Sequence, residues 1–424
     1  MVHDTIYALA SGAPPSGIAV FRISGPDAAA AHMALCDREP TPGLSGPVIL
    51  RDADGSSIDE ALTLFFRAPR SFTGEDVLEL HVHGSRAVVD AMLERLGGLG
   101  MRHAEAGEFT RRAFVNGRMD LTEIEGLSDL LAAETETQRR AALAQQGGAL
   151  RALYEGWAER LLHLRAMIEA ELDFADEEDV PDDASAGTFE ASQALAAEMK
   201  AHLAHGRDGE IVREGYRIAL LGPPNAGKSS LLNRLAERDA AIVTDLPGTT
   251  RDLVEVPLQR NGMVLIVTDT AGLREADDLI EREGIRRAYA AAEGADLRIW
   301  LAPDGTPAPF DSVPFTTKDD AGTAKEPSVS VRRDDGLDAF WAVVDERLAR
   351  LTTNSGTAVR PTRARHRDGV REALRHLDQI RNAQAPELEA EHLRAAHDAL
   401  GRITGRVDVE DLLGVVFSEF CVGK

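Results

Sequence analysis

The sequence predicts a multidomain chain: an α+β N-terminal domain, a helical domain, and a P-loop α/β domain inserted within the helices. Three observations predict it. Residues 1–118 alternate short apolar runs with turn residues, residues 119–212 and 349–424 carry helical periodicity, and residues 213–348 alternate strand-like and helix-like text around a phosphate-binding loop. A length of 424 residues exceeds one ordinary domain.

In the N-terminal region, Gly17–Ile23, Ala61–Phe66 and Val77–Val82 read as strands, bounded by Gly, Pro, Ser and Asp. Asp27–Leu35 and Arg86–Leu96 read as helices between them. From residue 119, Leu121, Ile124, Leu127, Leu130 and Leu131 recur at three- and four-residue steps, and Leu150–Leu172 repeats the pattern. The acidic stretch Asp173–Asp183, with Pro181, reads as a solvated turn. Helical text on both sides of an α/β segment suggests one domain interrupted by another, which closely spaced termini make tolerable.

Composition narrows the functional classes. Asp and Glu total 71 against 47 Lys and Arg, a net charge of −24, which argues against a general nucleic-acid coat but not against a local basic patch. No apolar run approaches the roughly 18 residues of a membrane span, and Met1–Thr5 lacks the character of a signal peptide. The two cysteines, Cys36 and Cys421, offer neither a disulfide framework nor zinc spacing. A cytoplasmic location without membrane attachment is the expectation.

The strand Arg217–Leu221 and a helix starting near Ser229 flank Gly222-Pro223-Pro224-Asn225-Ala226-Gly227-Lys228-Ser229, a G-x-x-x-x-G-K-S loop. Glycines let backbone N–H groups wrap phosphates, the helix start adds positive potential, Lys228 reaches the outer phosphates, and the Ser229 hydroxyl is placed for Mg²⁺. A Gly-rich turn with a surface lysine would not require the flanking strand and helix. Gly248-Thr249-Thr250-Arg251-Asp252 supplies switch-loop hydroxyls, and Asp269-Thr270-Ala271-Gly272 follows the strand Val264–Val267. Thr317-Lys318-Asp319-Asp320 fits a guanine-reading [NT]-K-x-D motif, so the order is that of a Ras-like GTPase domain.

Three departures stand out. Leu273 occupies the position where many GTPases place a water-orienting glutamine, leaving Glu275, Asp277, Asp278, Glu281 and Glu283 as candidate replacements. The proline-rich stretch Asp304–Phe315 replaces a helix. The last guanine loop reads Val329-Ser330-Val331, which predicts modest guanine affinity.

Arg22-Ile23-Ser24-Gly25, Ser71–Asp76, Gly107–Phe114, Asp411–Gly414 and the end Phe420-Cys421-Val422-Gly423-Lys424 resemble the MnmE (TrmE) family of tRNA-modification GTPases over essentially the whole chain. The resemblance implies an N-terminal folate-binding and dimerisation domain at 1–118, a helical domain at 119–212 and 349–424, and a G domain at 213–348. It further implies a homodimer that works with the flavoprotein MnmG (GidA), which carries FAD, in a heterotetramer or larger assembly. Together they place a (carboxymethyl)aminomethyl group on C5 of the wobble uridine of certain tRNAs. A 5-formyl- or methylene-tetrahydrofolate derivative supplies the carbon, with Arg22, Glu79, Arg118 and Lys424 as its contacts. Arg and Lys suit the folate's carboxylates, and Glu79 suits pterin N–H donors.

By the same resemblance, GTP contacts extend over Asn225–Ser230, Thr244, Asp245, Leu246, Pro247, Gly248, Thr249, Thr250, Asp269, Thr270, Ala271, Gly272, Thr317, Lys318 and Asp320. Ser229 and Thr250 match Mg²⁺ ligands. Asn225, Thr244, Leu246 and Thr249 match a K⁺ site whose charge would serve where an arginine finger acts elsewhere. Glu281 matches the glutamate that helps orient the attacking water, and with Lys228 it makes up the catalytic pair. Cys421 is either a small buried side chain or a reactive thiol in the modification chemistry. The cluster Arg360, Arg363, Arg365, Arg367 and Arg371 is either a solvated helix surface or a tRNA-phosphate contact. A ribosome-assembly GTPase acting as an RNA-binding switch, or a scaffold that does not hydrolyse GTP, are the rivals; neither accounts for both the intact phosphate loop and the motifs at the two ends.

Overall fold

The computed structural model describes residues 4–173, 187–239, 254–269, 292–303, 305–308, 311–322, 327–333, 335–353, 359–380, 385–407, 416–417, 420 and 422–423. They fall into two compact units, one of residues 1–128, 145–158 and 400–424, the other of residues 129–144 and 159–399.

The first unit holds a six-stranded sheet built from β1 (Ile6–Leu9), β2 (Ser16–Ser24), β3 (Gly43–Arg51), β4 (Ser57–Phe66), β5 (Val77–Gly84) and β6 (Arg102–His103), in the order β3-β4-β5-β2-β1-β6. All pairs are antiparallel except β1 with β6. Alternation along β2 buries Ala19, Phe21 and Ile23 and turns Arg22 to the other face. Helices α1 (Ala28–Cys36) and α2 (Arg86–Gly98) pack Leu35, Met92 and Leu96 against that buried face, in one core with Leu78 and Leu80. The opposite face leaves Leu44, Ile49 and Leu62 exposed. Cys36 packs at the edge of this core as a small hydrophobe, and burial pushes its thiol up to about 11.

Helix starts follow local chemistry. Ser85 Oγ accepts the Val88 N–H to open α2. Asp120 opens α4 (Leu121–Ala132) in a reciprocal box: the Glu123 N–H donates to Asp120 Oδ1 at 2.8 Å, and the Asp120 N–H donates to Glu123 Oε2 at 2.7 Å. Thr135 and Gln138 repeat the device before α5 (Glu136–Gln146).

Asp120 is buried and its Oδ2 has no hydrogen-bond partner among the described residues, so burial pushes its carboxyl from 3.8 up to about 6. A raised folded-state value means that the native state holds the extra proton between about pH 4 and pH 6. Stability from this group is therefore present at the acid end and lost as the pH rises through that window. Asp120→Asn keeps a cap and removes the titration. Urea-unfolding midpoints of the variant should rise relative to the parent by the equivalent of on the order of 2 kcal/mol between pH 4 and pH 7. A constant difference across that range would refute the assignment.

Helix α3 (Glu108–Val115) precedes these, and α6 (Ala149–Asp173), α7 (Thr188–Ala204) and α8 (Gly206–Glu214) follow them. The second unit contains another six-stranded sheet, of β7 (Tyr216–Leu221), β8 (Val254–Arg260), β9 (Met263–Asp269), β10 (Leu297–Ala302), β11 (Val313–Thr317) and β12 (Ser328–Val329), ordered β12-β11-β10-β7-β9-β8. Only β8 runs antiparallel to its neighbour. Helix α9 (Lys228–Asp239) and helix α10 (Asp338–Thr353) contribute Leu231, Leu235, Phe340 and Val344 to a core with Leu220, Leu265, Ile299 and Phe315. The described residues between β10 and β11 form no helix, as the proline-rich text predicts. Helices α11 (Ala364–Ile380) and α12 (Pro386–Thr404) complete the described helices; α11 buries Val370, Ala373, Leu374 and Leu377 at three- and four-residue steps.

Candidate phosphate-binding site

The phosphate loop sits where the central strand β7 ends and α9 begins. Gly222 has φ +147°, and a Cβ there would lie 2.1 Å from the Leu301 carbonyl oxygen; Gly227 has φ +97°. Both positions therefore demand glycine. Asn225 also adopts a left-handed conformation, φ +61°, and its side chain is exposed with no hydrogen-bond partner among the described residues. The Leu231 N–H donates to Gly227 O at 2.9 Å, so the helix ladder starts directly behind the loop.

Lys228 is buried, and its Nζ donates to Gly222 O at 2.8 Å and Pro223 O at 3.0 Å, so the side chain folds back along its own loop. Burial pushes its ammonium below its ordinary value, and the Asp269 carboxylate opposes that shift. Parallel pairing of β7 with β9 sets Leu220 opposite Asp269 at the carboxyl ends of adjacent strands, where α/β sheets bind ligands. There Ser229 Oγ donates to Asp269 Oδ2 at 2.5 Å. A hydroxyl and a carboxylate at that spacing form an oxygen donor set suited to Mg²⁺, which takes oxygen ligands. The remaining nucleotide residues named from sequence, Thr244–Thr250, Thr270–Gly272 and Glu281, lie outside the described residues, as does Leu273.

On the base-reading side Lys318 has φ +62° and Asp320 is partly exposed. Thr317 is buried, and its Oγ1 lacks a partner among the described residues. Ser330, which the sequence reading counted within a departed guanine loop, is buried and donates from Oγ to Asp320 Oδ1 at 2.7 Å. Arg332 then meets Asp320 Oδ2 at 3.1 Å. The departure at Val331 thus leaves Asp320, the carboxylate of the predicted T-K-x-D motif, buttressed by Ser330. The local order Ser-Val-Arg was the one signal available for it.

The arginine cluster divides. Arg363 pairs with Asp129 at 2.9 Å, Arg367 with Glu210 at 2.9 Å and Arg371 with Asp368 at 2.8 Å. Arg360 is buried, 3.6 Å from Asp208, and Arg365 is half-buried. Arg363 and Arg367 meet acids of their own unit and are largely covered, whereas the Arg371–Asp368 pair is exposed on the helix surface, so most of the cluster's charge is met within the unit.

In the first unit, register places Arg22 opposite Glu79, and the two are joined at 2.8 Å. The Arg22 guanidinium lies 5.1 Å from the Phe72 ring and 5.8 Å from Phe109. The exposed Arg118 passes Gly74, whose Cβ, if built, would lie 3.1 Å from Arg118 Cγ. The loop 72–74 thereby flanks both arginines. Glu75 and Glu108 of the sequence motifs serve structure: Arg112 spans Asp4, Glu75 and Glu108 at 2.7, 3.1 and 3.2 Å. Lys424 and Cys421 lie outside the described residues. Their neighbours are placed, however, since Val422 bridges to Ala106 and Gly423 abuts the Leu9 carbonyl at the end of β1.

A strand–loop–helix with two obligatory glycines, a buried lysine and a serine at the helix start paired to an aspartate at the end of the adjacent parallel strand defines a P-loop nucleotide-binding protein. Family models for the MnmE helical domain match residues 121–421, and those for the GTP-binding protein TrmE N-terminus match residues 5–118. A tRNA modification GTPase MnmE of Rhizobium meliloti (strain 1021) is 50% identical over 99% of both chains, and one of Agrobacterium fabrum (strain C58) is 49% identical over 99% of both. The chain belongs to the MnmE (TrmE) family of tRNA modification GTPases. Among solved structures, the G domain of the T. maritima FeoB iron transporter matches 32% of this chain at 22% identity, with a TM-score of 0.23, too low to bear on the fold. No helix among the described residues is long and apolar enough to cross a membrane.

Proposed function

We propose that this chain is a potassium-activated GTPase that, as a homodimer with the FAD-dependent flavoprotein MnmG (GidA), modifies C5 of the wobble uridine of certain tRNAs with a tetrahydrofolate-derived carbon. The observation that carries the GTPase reading is the Lys228 and Ser229–Asp269 arrangement at the carboxyl ends of β7 and β9. Mg²⁺ would be held by Ser229 with Thr250 and would offset phosphate charge. K⁺ would be held by Asn225 with Thr244, Leu246 and Thr249; the Asn225 amide, which has no hydrogen-bond partner among the described residues, is available for it. Glu281 is the water-orienting residue in this reading.

Folate would lie against Arg22, Glu79, Arg118 and Lys424. Support comes from the Arg22–Phe72 stack, the Arg118 path past Gly74, and the return of Gly423 to β1. Homodimerisation would use the uncovered sheet face bearing Leu44, Ile49 and Leu62. The domain division follows: 1–118 for folate and dimerisation, 119–212 and 349–424 helical, 213–348 for GTP.

GTP turnover should be on the order of tenfold or more higher in KCl than in NaCl, and Asn225→Ala should erase the difference. Equal turnover in both salts would sink the potassium role. Deletion of the gene should remove the aminomethyl-type wobble uridines from tRNA hydrolysates; unchanged nucleosides would overturn the tRNA assignment.

A further inference from the structure

We propose that Arg332 is an affinity-tuning residue of the base site: its guanidinium holds the Asp320 oxygen that a guanine edge would otherwise engage. The inference rests on the guanine-reading role proposed for Asp320.

A carboxylate reads guanine by accepting two neighbouring N–H donors, one on each oxygen. An arginine guanidinium presents the same kind of two-donor edge. Here both oxygens are already engaged: Oδ1 accepts from Ser330 Oγ at 2.7 Å, and Oδ2 accepts from Arg332 Nη1 at 3.1 Å. The two donors differ in kind. Ser330 is buried and fixed, because its Oγ also accepts the Arg332 N–H at 3.2 Å and its own N–H donates to Gly336 O at 3.1 Å. A Cβ on Gly336 would fall 2.0 Å from Ser330 O, so the turn that holds this hydroxyl is closed tightly. Arg332, by contrast, is 80% exposed and reaches Asp320 from a flexible side chain.

Ser330 therefore orients the carboxylate, and Arg332 occupies the oxygen that solvent and ligand can reach. The neighbouring Arg333 secures the same loop: it pairs with Asp335 at 2.6 Å, and its Nη1 would lie 2.2 Å from a Cβ on Gly322, in the loop that carries Asp320. Nucleotide entry must exchange the Arg332 contact for the guanine edge, whereas the Ser330 contact persists. An exposed ion pair of this kind is weak, so the exchange tunes affinity rather than blocking it.

The test uses the full-length chain and a fluorescent N-methylanthraniloyl-GDP probe in stopped flow. Arg332→Ala should tighten binding about two- to fivefold, entirely through faster association, with dissociation unchanged. Arg332→Lys, which keeps the charge but not the fork, should fall between. In an Asp320→Asn background, assayed with the xanthine analogue, Arg332→Ala should change nothing, because the charge it meets is gone. Faster dissociation in Arg332→Ala would show that Arg332 holds the bound base instead and would overturn the proposal; so would an equal effect in the Asp320→Asn background. Failure of the unaltered chain to bind the probe would reject the guanine-site reading itself, a distinct result.

Discussion

Gly222→Ala is expected to lower GTP hydrolysis by on the order of 100-fold and to lower the stability of the α/β region by on the order of 2–4 kcal/mol. Two independent effects combine at this position. Its φ of +147° is a conformation that side-chain-bearing residues rarely adopt, and the added Cβ would sit 2.1 Å from the Leu301 carbonyl oxygen. That neighbour is backbone of β10, the strand paired with β7, so it cannot rotate away as a side chain would. Relief requires the loop to move by about an ångström, and a displacement of that size costs on the order of 100-fold in a positioned reaction. Thermal unfolding and single-turnover hydrolysis measured on the same preparation check both halves. A variant with parental turnover would refute the placement of this loop.

Lys228→Met separates chemistry from stability. The ammonium is buried against Gly222 O and Pro223 O, and burial already disfavours its charged form. Methionine of similar length removes that cost along with the two hydrogen bonds, so the melting temperature should stay within a few degrees of the parent. Turnover should nonetheless fall by about 10²–10³, the scale of losing one preorganised charge at a phosphoryl group. Turnover within tenfold of the parent would place the phosphate contact elsewhere. A large loss of stability would mean that Lys228 is mainly a structural pin of the loop.

How legible the molecule is from sequence depends on whether a feature is local. The strands around Ile23, Leu80 and Leu220 announce themselves through apolar alternation, and the phosphate loop through fixed spacing. Strands β3 and β8 do not, because Pro47 and Pro257 interrupt them. Each is the outermost strand of its sheet, the one place where a missing N–H leaves no interior ladder bond unmade. The arginines from 360 to 371 look like a surface patch in sequence because their acids, Asp129, Asp208 and Glu210, lie more than a hundred residues away for the first three pairs. Ser330 gave a local hint, but its partner Asp320 and the Arg332 contact emerge only when the two loops meet. Long-range charge pairing is the part that periodicity cannot carry.

The bridge from Val422 to Ala106 and the seat of Gly423 on Leu9 have a consequence for synthesis. The first unit is assembled from residues 1–128, 145–158 and 400–424, so the contacts that Val422 and Gly423 make with it wait for residues made hundreds of codons later. The intervening α/β region draws its sheet from residues 216–329 and can close while the ribosome is still translating. An interrupted or prematurely terminated message would then yield a chain with its P-loop sheet already in place but with the N-terminal sheet lacking its final contacts. Quality control acting on nascent chains would meet an N-terminal unit whose β1 lacks only its Gly423 contact at Leu9.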